Sequence, residues 1–346
     1  MNHLFSPLKI KSVELRNRIV MAPMCMYSAD TSGFVQPFHI THYESRAIGG
    51  TGLVILEATS IEPRGRISAN DLGIWHDDHI DGLKQIVDAI HKHGAKAGIQ
   101  LAHAGRKCGV LTEDVIAPSP VWFEELETSY KLPRQMDEAD IQTVTEAFKS
   151  AAKRAQAAGF DIIELHGAHG YLINEYLSPL TNKRTDAYGY SNAQGTPFLK
   201  GIIESVKEVW PSDNPIFLRV SAEDYEVGGN TAESIADALL ALKNSGIDVI
   251  NVSSGGVVPA RIPIFDGYQI KHAEQIKMKT GFPVMAGGRI KTSEMADEII
   301  RNGRADLVFF GRQLLIEPYF PLRAAQVLKQ ELEYAPVQYD RWRSML

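Results

Sequence analysis

Eight short apolar runs punctuate the chain: IVMAPM (19–24), LVILEAT (53–59), KAGIQLAH (96–103), DIIELHG (161–167), IFLRVSA (216–222), DVINVSS (248–254), PVMAGG (283–288) and DLVFFG (306–311). Their length and β-branched content predict strands. Between them, apolar residues recur three and four positions apart, the period of an amphipathic helix. IDGLKQIVDAIHKHG, TVTEAFKSAAKRAQAAG, ESIADALLALKNSG and SEMADEIIRNG close on Gly94, Gly159, Gly246 and Gly303. Glycine there supplies the left-handed turn that ends a helix. Repetition of this unit predicts an α/β fold, a TIM (β/α)8 barrel, with residues 1–346 forming one domain. A doubly wound sheet usually announces itself by G-x-G-x-x-G after its first strand, whereas here MCMYS follows. Two connections are long: a lid loop at about 105–136 and a second at 168–195, both on the face where barrels keep their active sites.

Within the strands, alternation assigns faces. Ile216, Leu218 and Val220 suit packing on helices, which leaves Phe217, Arg219 and Ser221 facing the barrel. By the same count Gln100, Glu164, His166, Asn251 and Ser253 point inward. Buried charges need partners, so these polar groups form either a ligand site or a self-satisfied network. The last two strands end in AGGR (286–289) and FGR (310–312). Glycine lets a phosphate approach backbone N–H groups, arginine adds charge-assisted donors, and these loops are the usual phosphate site of such a barrel. A phosphate at Gly287, Gly288, Gly311 and Arg312, joined to Arg219 and Gln100 deeper in, suits flavin mononucleotide.

Composition narrows the function classes. The formal net charge of −6 gives no basic footprint for nucleic acid. No apolar run is long enough for a membrane-spanning helix, and Lys9, Lys11, Glu14, Arg16 and Arg18 interrupt the N-terminal stretch where a signal peptide needs an apolar core. Cys25 and Cys108 alone make a disulfide framework improbable, so a cytoplasmic protein is expected. In ELHGAHGYL (164–172), His166 and His169 could share a helix face and hold a metal, or grip a substrate oxygen from a loop.

The stretches RNRIVMAPMCMYS (16–28), GIQLAHAGRK (98–107), HGAHGYLINEYLSPLTNKRTDAYG (166–189), FLRVSAEDY (217–225) and GRADLVFFGRQLL (303–315) resemble the Old Yellow Enzyme family of FMN-dependent ene-reductases over nearly the whole chain. MAPMCMYS and the ending PVQYDRW (336–342) resemble its bacterial thermophilic-like branch. The resemblance implies non-covalent FMN held by Ala22, Pro23, Met24, Cys25, Ala58, Gln100, Arg219, Gly288, Gly311 and Arg312, with NADPH as reductant. Cys25 would tune the flavin, and Tyr27 would line the substrate pocket. His166 and His169 would clamp a carbonyl or nitro oxygen rather than a metal, and Tyr171 would protonate the α carbon of an activated alkene. Arg341 would reach across a homodimer or homotetramer interface into a neighbouring site. A non-catalytic or sensory flavin-binding barrel is the alternative, although it would not need His166, His169 and Tyr171 together. The chain departs from the family at YSNAQGTPFLKG (190–201), which leaves the local structure there open.

Overall fold

The computed structural model describes residues 3–123, 130–191 and 193–345, the last four of these by backbone alone. Eight parallel strands close into a barrel: β1 (Ile19–Met21), β2 (Leu53–Ser60), β3 (Lys96–Ala102), β4 (Ile162–Gly167), β5 (Ile216–Ser221), β6 (Val249–Ser253), β7 (Val284–Ala286) and β8 (Leu307–Phe310). Each is followed by one outer helix: α1 (Pro37–Ile48), α2 (His79–His91), α3 (Glu138–Ala158), α4 (Thr196–Lys207), α5 (Ala232–Ala241), α6 (Ile270–Thr280), α7 (Ser293–Arg301) and α8 (Phe320–Val327). The architecture is the TIM barrel that the repeated unit predicts.

Two apolar cores follow from the alternation. Leu218, Val220, Ile250 and Val252 join the larger core between strands and helices. Phe217, Val249, Met285 and Phe309 fill the barrel interior. A hairpin of Leu8–Ile10 against Val13–Leu15 packs Ile10, Val13 and Leu15 into that interior core.

Several boundaries differ from the sequence reading. α3 begins at Glu138, because the Asp137 side chain accepts from the Asp140 N–H and Asp140 reciprocates, a capping box built from two acids. α5 stops at Ala241, well before Gly246. Although AAQVLKQELEY (324–334) has helical spacing, α8 ends at Val327 and Lys329 adopts a left-handed backbone. The connection 105–136 contains a short pairing of Ile116–Ala117 with Arg134–Gln135; residues 124–129 of this expected lid lie outside the described residues. The connection 168–195 holds a helix at Leu172–Leu177. In the atypical 190–201 segment, Ala193, Gln194 and Gly195 all take positive φ before α4 begins.

Candidate active site

The C-terminal strand ends gather nearly all the expected site residues on one face. The loop after β1 carries Ala22, Pro23, Met24, Cys25 and Tyr27, and the Ala22 N–H donates to the Phe310 carbonyl at the end of β8 (3.0 Å). A cavity of about 410 Å³ opens there, lined among others by Arg219, Ser253, Gln269, Gly288, Phe309, Gly311 and Arg312. That volume lies in the range of small-molecule sites, roughly 300–1,000 Å³. Glycine is required at its rim. Gly288 has φ +96°, and a Cβ on Gly287 would lie 2.2 Å from the Phe309 ring.

Glu164 organises the floor. Its Oε1 accepts from Gln100 Nε2 and its Oε2 from Asn251 Nδ2, both at 2.7 Å, so β3, β4 and β6 are tied through one buried carboxylate. Burial pushes the Glu164 carboxyl up and the neighbouring Arg219 guanidinium opposes the shift. Arg219 lies beside both His166 and Asn251 in strand register, and its guanidinium sits 5.3 Å from the Phe309 ring centroid. Arg219 Nε and His166 Nδ1 are buried without a protein partner. Buried polar atoms are nearly always paired, so the orphaned Arg219 donor in the cavity, with His166 beside it in register, marks where a ligand would bind. Gln100 and Asn251 both bond Glu164, whereas Arg219 Nε is left for a ligand. Arg219, the glycine rim and Arg312 fit a flavin phosphate and ring.

His166, His169 and Tyr171 come together on β4 and its loop. The His166 ring centroid lies 5.2 Å from that of His169 and 4.9 Å from that of Tyr171, both edge to face. β4 ends at Gly167, so the helical metal spacing does not apply. Among the described residues, no three His, Cys, Asp or Glu side chains are grouped to hold a metal ion. His169 takes φ +61°, its N–H donates to Ser221 Oγ (2.9 Å), and its Nε2 lies 2.7 Å from Ser253 Oγ. Burial first, then the Arg219 charge, hold both imidazoles well below their usual pKa, so they are neutral at pH 7. Burial pushes the Tyr171 phenol well above its usual pKa, which keeps a proton on it.

Cys25 is only partly exposed, and burial, then Asp71 and Glu57, push its thiol well above the usual value; it stays protonated. Tyr27 is exposed and left-handed (φ +51°). Ala58 faces Gln100 across β2 and β3 only because a bulge between Leu56 and Ala58 shifts the register. Arg341 alone is not gathered here: its tail lies against the start of α8, where Tyr339 OH meets Tyr319 OH at 3.1 Å.

Sequence reasoning missed three supporting residues. Glu57 sits on the bulge with its carboxylate buried. Arg106 and Glu175 are buried together beside the Tyr171 loop: the Glu175 N–H donates to the Tyr171 carbonyl (2.9 Å), Glu175 Oε1 accepts the Arg106 N–H (2.9 Å), and the Arg106 guanidinium donates to carbonyls of Val121 and Val257. A charged residue inside an otherwise apolar run, as in LEAT and LINEYL, was the available signal.

The sequence profile of the NADH:flavin oxidoreductase / NADH oxidase family matches residues 3–331. The chain is 52% identical over 342 residues to an NADPH dehydrogenase of Geobacillus thermodenitrificans (strain NG80-2), covering 98% of each chain. Among solved structures it resembles morphinone reductase (28% identity, TM-score 0.80, 95% of this chain and 90% of that one). It also resembles a 2-naphthoyl-CoA reductase complex (25% identity, TM-score 0.89, 94% of this chain), of which it spans about half the length, 52%.

Proposed function

The chain belongs to the NADH:flavin oxidoreductase / NADH oxidase family, the Old Yellow Enzyme family, and from that premise we propose that it is an FMN-dependent NADPH dehydrogenase that reduces activated alkenes such as enones, maleimides and nitroalkenes. The observation that carries this reading is the orphaned buried donor Arg219 Nε in a cavity rimmed by Gly288, Gly311 and Arg312, with the unpartnered His166 Nδ1 next to it in strand register.

Bound non-covalently, FMN would supply hydride-transfer chemistry between NADPH and the alkene β carbon. Gly288, Gly311 and Arg312 would hold its phosphate, Ala22 to Cys25 and Ala58 its ring edge, and Gln100 its pyrimidine side. Arg219 would compensate negative charge there. Because both imidazoles are neutral, His166 and His169 are donors through one ring N–H each. Directed at one carbonyl or nitro oxygen, they withdraw electron density from the conjugated double bond. Tyr171, kept protonated by burial, donates to the α carbon from the same loop. Tyr27 bounds the substrate side.

Anaerobic absorbance spectroscopy tests the reading. The purified protein is expected to be yellow, to bleach with NADPH, and to regain colour when 2-cyclohexenone is added; heat precipitation should release the flavin. A colourless protein that cannot be reconstituted overturns it and the sensory alternative together, whereas a reduced flavin that the enone leaves unoxidised overturns it and favours a sensory flavin-binding barrel.

A further inference from the structure

Strand alternation alone would turn Glu57 into the barrel, since Leu53 and Ile55 face the interior core and Leu56 the outer one. The bulge changes that. Leu56 pairs with Ile99 and Ala58 with Gln100, so Glu57 is the extra residue, and bulges re-aim side chains in this way. Its carboxylate lies behind the loop after β1. Oε2 accepts the Met26 N–H at 2.8 Å, and the Tyr27 N–H faces the same group. Oε1 accepts the Tyr43 O–H at 3.0 Å and lies 3.5 Å from His39 Nε2. The Tyr43 oxygen in turn accepts the Glu57 N–H at 3.0 Å, which fastens α1 to the bulge.

Two successive N–H groups converging on a carboxylate, with the second residue left-handed, form a backbone nest for an anion. Tyr27 is that second residue, at φ +51°, a conformation unfavourable for a bulky side chain unless its surroundings hold it. We propose that Glu57 is a positioning residue: its carboxylate fills the nest at Met26 and Tyr27, and so sets where the Tyr27 ring and the Cys25 thiol stand at the substrate side of the site. This inference deepens the proposed function and rests on it for the role of Tyr27.

The anchor is sensitive to pH. Burial raises the Glu57 carboxyl to about 7 against its hydrogen bonds from Met26 and Tyr43. The titratable groups facing it are His39 and Tyr43 from α1, Cys25 and Tyr27 from the β1 loop, and Asp71 after β2. His39 is shifted down by burial; Tyr43, Cys25 and Tyr27 are shifted up, away from neutrality. Asp71 is also shifted up by burial, so a Glu57 variant is needed to assign the titration. Protonation removes the charge that the nest binds.

The test uses FMN-loaded wild type, Glu57→Gln and Tyr43→Phe. Amide hydrogen exchange of the peptide spanning residues 22–29 reads the anchor directly, and KM and kcat for 2-cyclohexenone between pH 6 and 9 read its consequence. Wild-type KM is expected to rise roughly tenfold as pH falls through neutrality, the loss of one charge-assisted hydrogen bond, with little change in kcat. Glu57→Gln should show faster exchange at Met26 and Tyr27 and a raised KM that no longer varies with pH. Tyr43→Phe removes a donor to the ionised form, so its KM midpoint should move to higher pH. Wild-type exchange rates in Glu57→Gln, or a retained pH dependence of its KM, overturn the proposal. Should that variant fail to fold, an unmoved midpoint in Tyr43→Phe does the same. A wild-type protein without flavin or without enone turnover refutes the parent reading instead, and the exchange comparison still decides the anchor.

Discussion

Gln100 donates from Nε2 to Glu164 Oε1 across 2.7 Å, and the same carboxylate takes Asn251 Nδ2 on its other oxygen. The amide of Gln100 is therefore oriented before any ligand arrives: with its N–H spent on Glu164, its second N–H and its carbonyl are the groups left to offer. Glu164 also balances Arg219, which is buried and lacks a partner at Nε. Glu164→Ala should strand that guanidinium and free Gln100. Removing the carboxylate leaves the buried Gln100 and Asn251 amides without their acceptor, a cost of roughly 1–3 kcal/mol each, and FMN affinity should fall at least roughly tenfold as well. Urea denaturation of the flavin-free protein and an FMN titration check both; wild-type values in either would contradict the assigned role.

A second expectation concerns the oxygen clamp. Phenols mimic an enolate, so they should stack on the bound flavin, with their oxygen between His166 and His169, and give a long-wavelength charge-transfer band. His166→Ala should weaken that band and lower enone turnover by on the order of 10²–10³, the usual loss when one such donor is removed. Turnover that depends instead on a stoichiometric metal would show that the histidine pair had been misassigned.

Glu175 gives the third. Its Oε1 accepts the Arg106 N–H, its Oε2 has no partner, and burial raises the carboxyl to about 8 although Arg106 opposes this. The folded chain thus holds this proton more tightly than the unfolded chain does. The resulting stability is complete below about pH 4.3, the unfolded value, and is lost as pH rises through about 8. Glu175→Gln, which cannot ionise, should match wild type near pH 4 and exceed it above pH 8 by up to a few kcal/mol. Melting temperatures from pH 4 to 9 decide the matter: a variant curve parallel to wild type removes Glu175 as the source.

How far the sequence could be read depended on which physical signal each residue leaves. Gln100, Glu164, Arg219 and Asn251 were legible as inward residues because a strand has period two and their neighbours Ile99, Leu165, Leu218 and Ile250 are uniformly apolar. Glu57 was not, because a bulge breaks that period and only the pairing with β3 reveals it. The start of α3 was missed for a related reason: Asp137 and Asp140 make the cap, and an apolar periodicity does not register two acids. In the tail, AAQVLKQELEY has helical spacing, yet the backbone turns left-handed at Lys329 and the helix ends at Val327. His166, His169 and Tyr171 were visible as a cluster, but spacing alone left metal and oxygen open; β4 running to Gly167 removes only the helical spacing on which the metal reading rested.

The last prediction concerns Arg341, which the fold keeps away from the other site residues. Val337 is 73% exposed and Tyr339 40%, although both are apolar enough to want cover. Tyr339 adjoins Tyr319 at the start of α8, and Leu315 and Ile316 just before it are exposed as well. Exposed apolar side chains grouped in this way suit an interface between copies of the chain. A second copy of the chain would cover it and carry Arg341 towards Tyr27 of the partner subunit, where a planar guanidinium can stack on an aromatic ring and still bond an oxygen. We therefore expect a homodimer or a tetramer built from dimers, in which Arg341→Ala raises KM for enones and barely alters FMN affinity. Mixing Arg341→Ala chains with Tyr171→Phe chains separates action in trans from action in cis. If the arginine serves the neighbouring site, each mixed dimer holds one site lacking both residues and one with both intact, so activity should recover on mixing. If it serves its own chain, every site lacks one residue and mixing changes nothing. Sedimentation as a monomer, or unaltered kinetics in Arg341→Ala, would remove the shared site altogether.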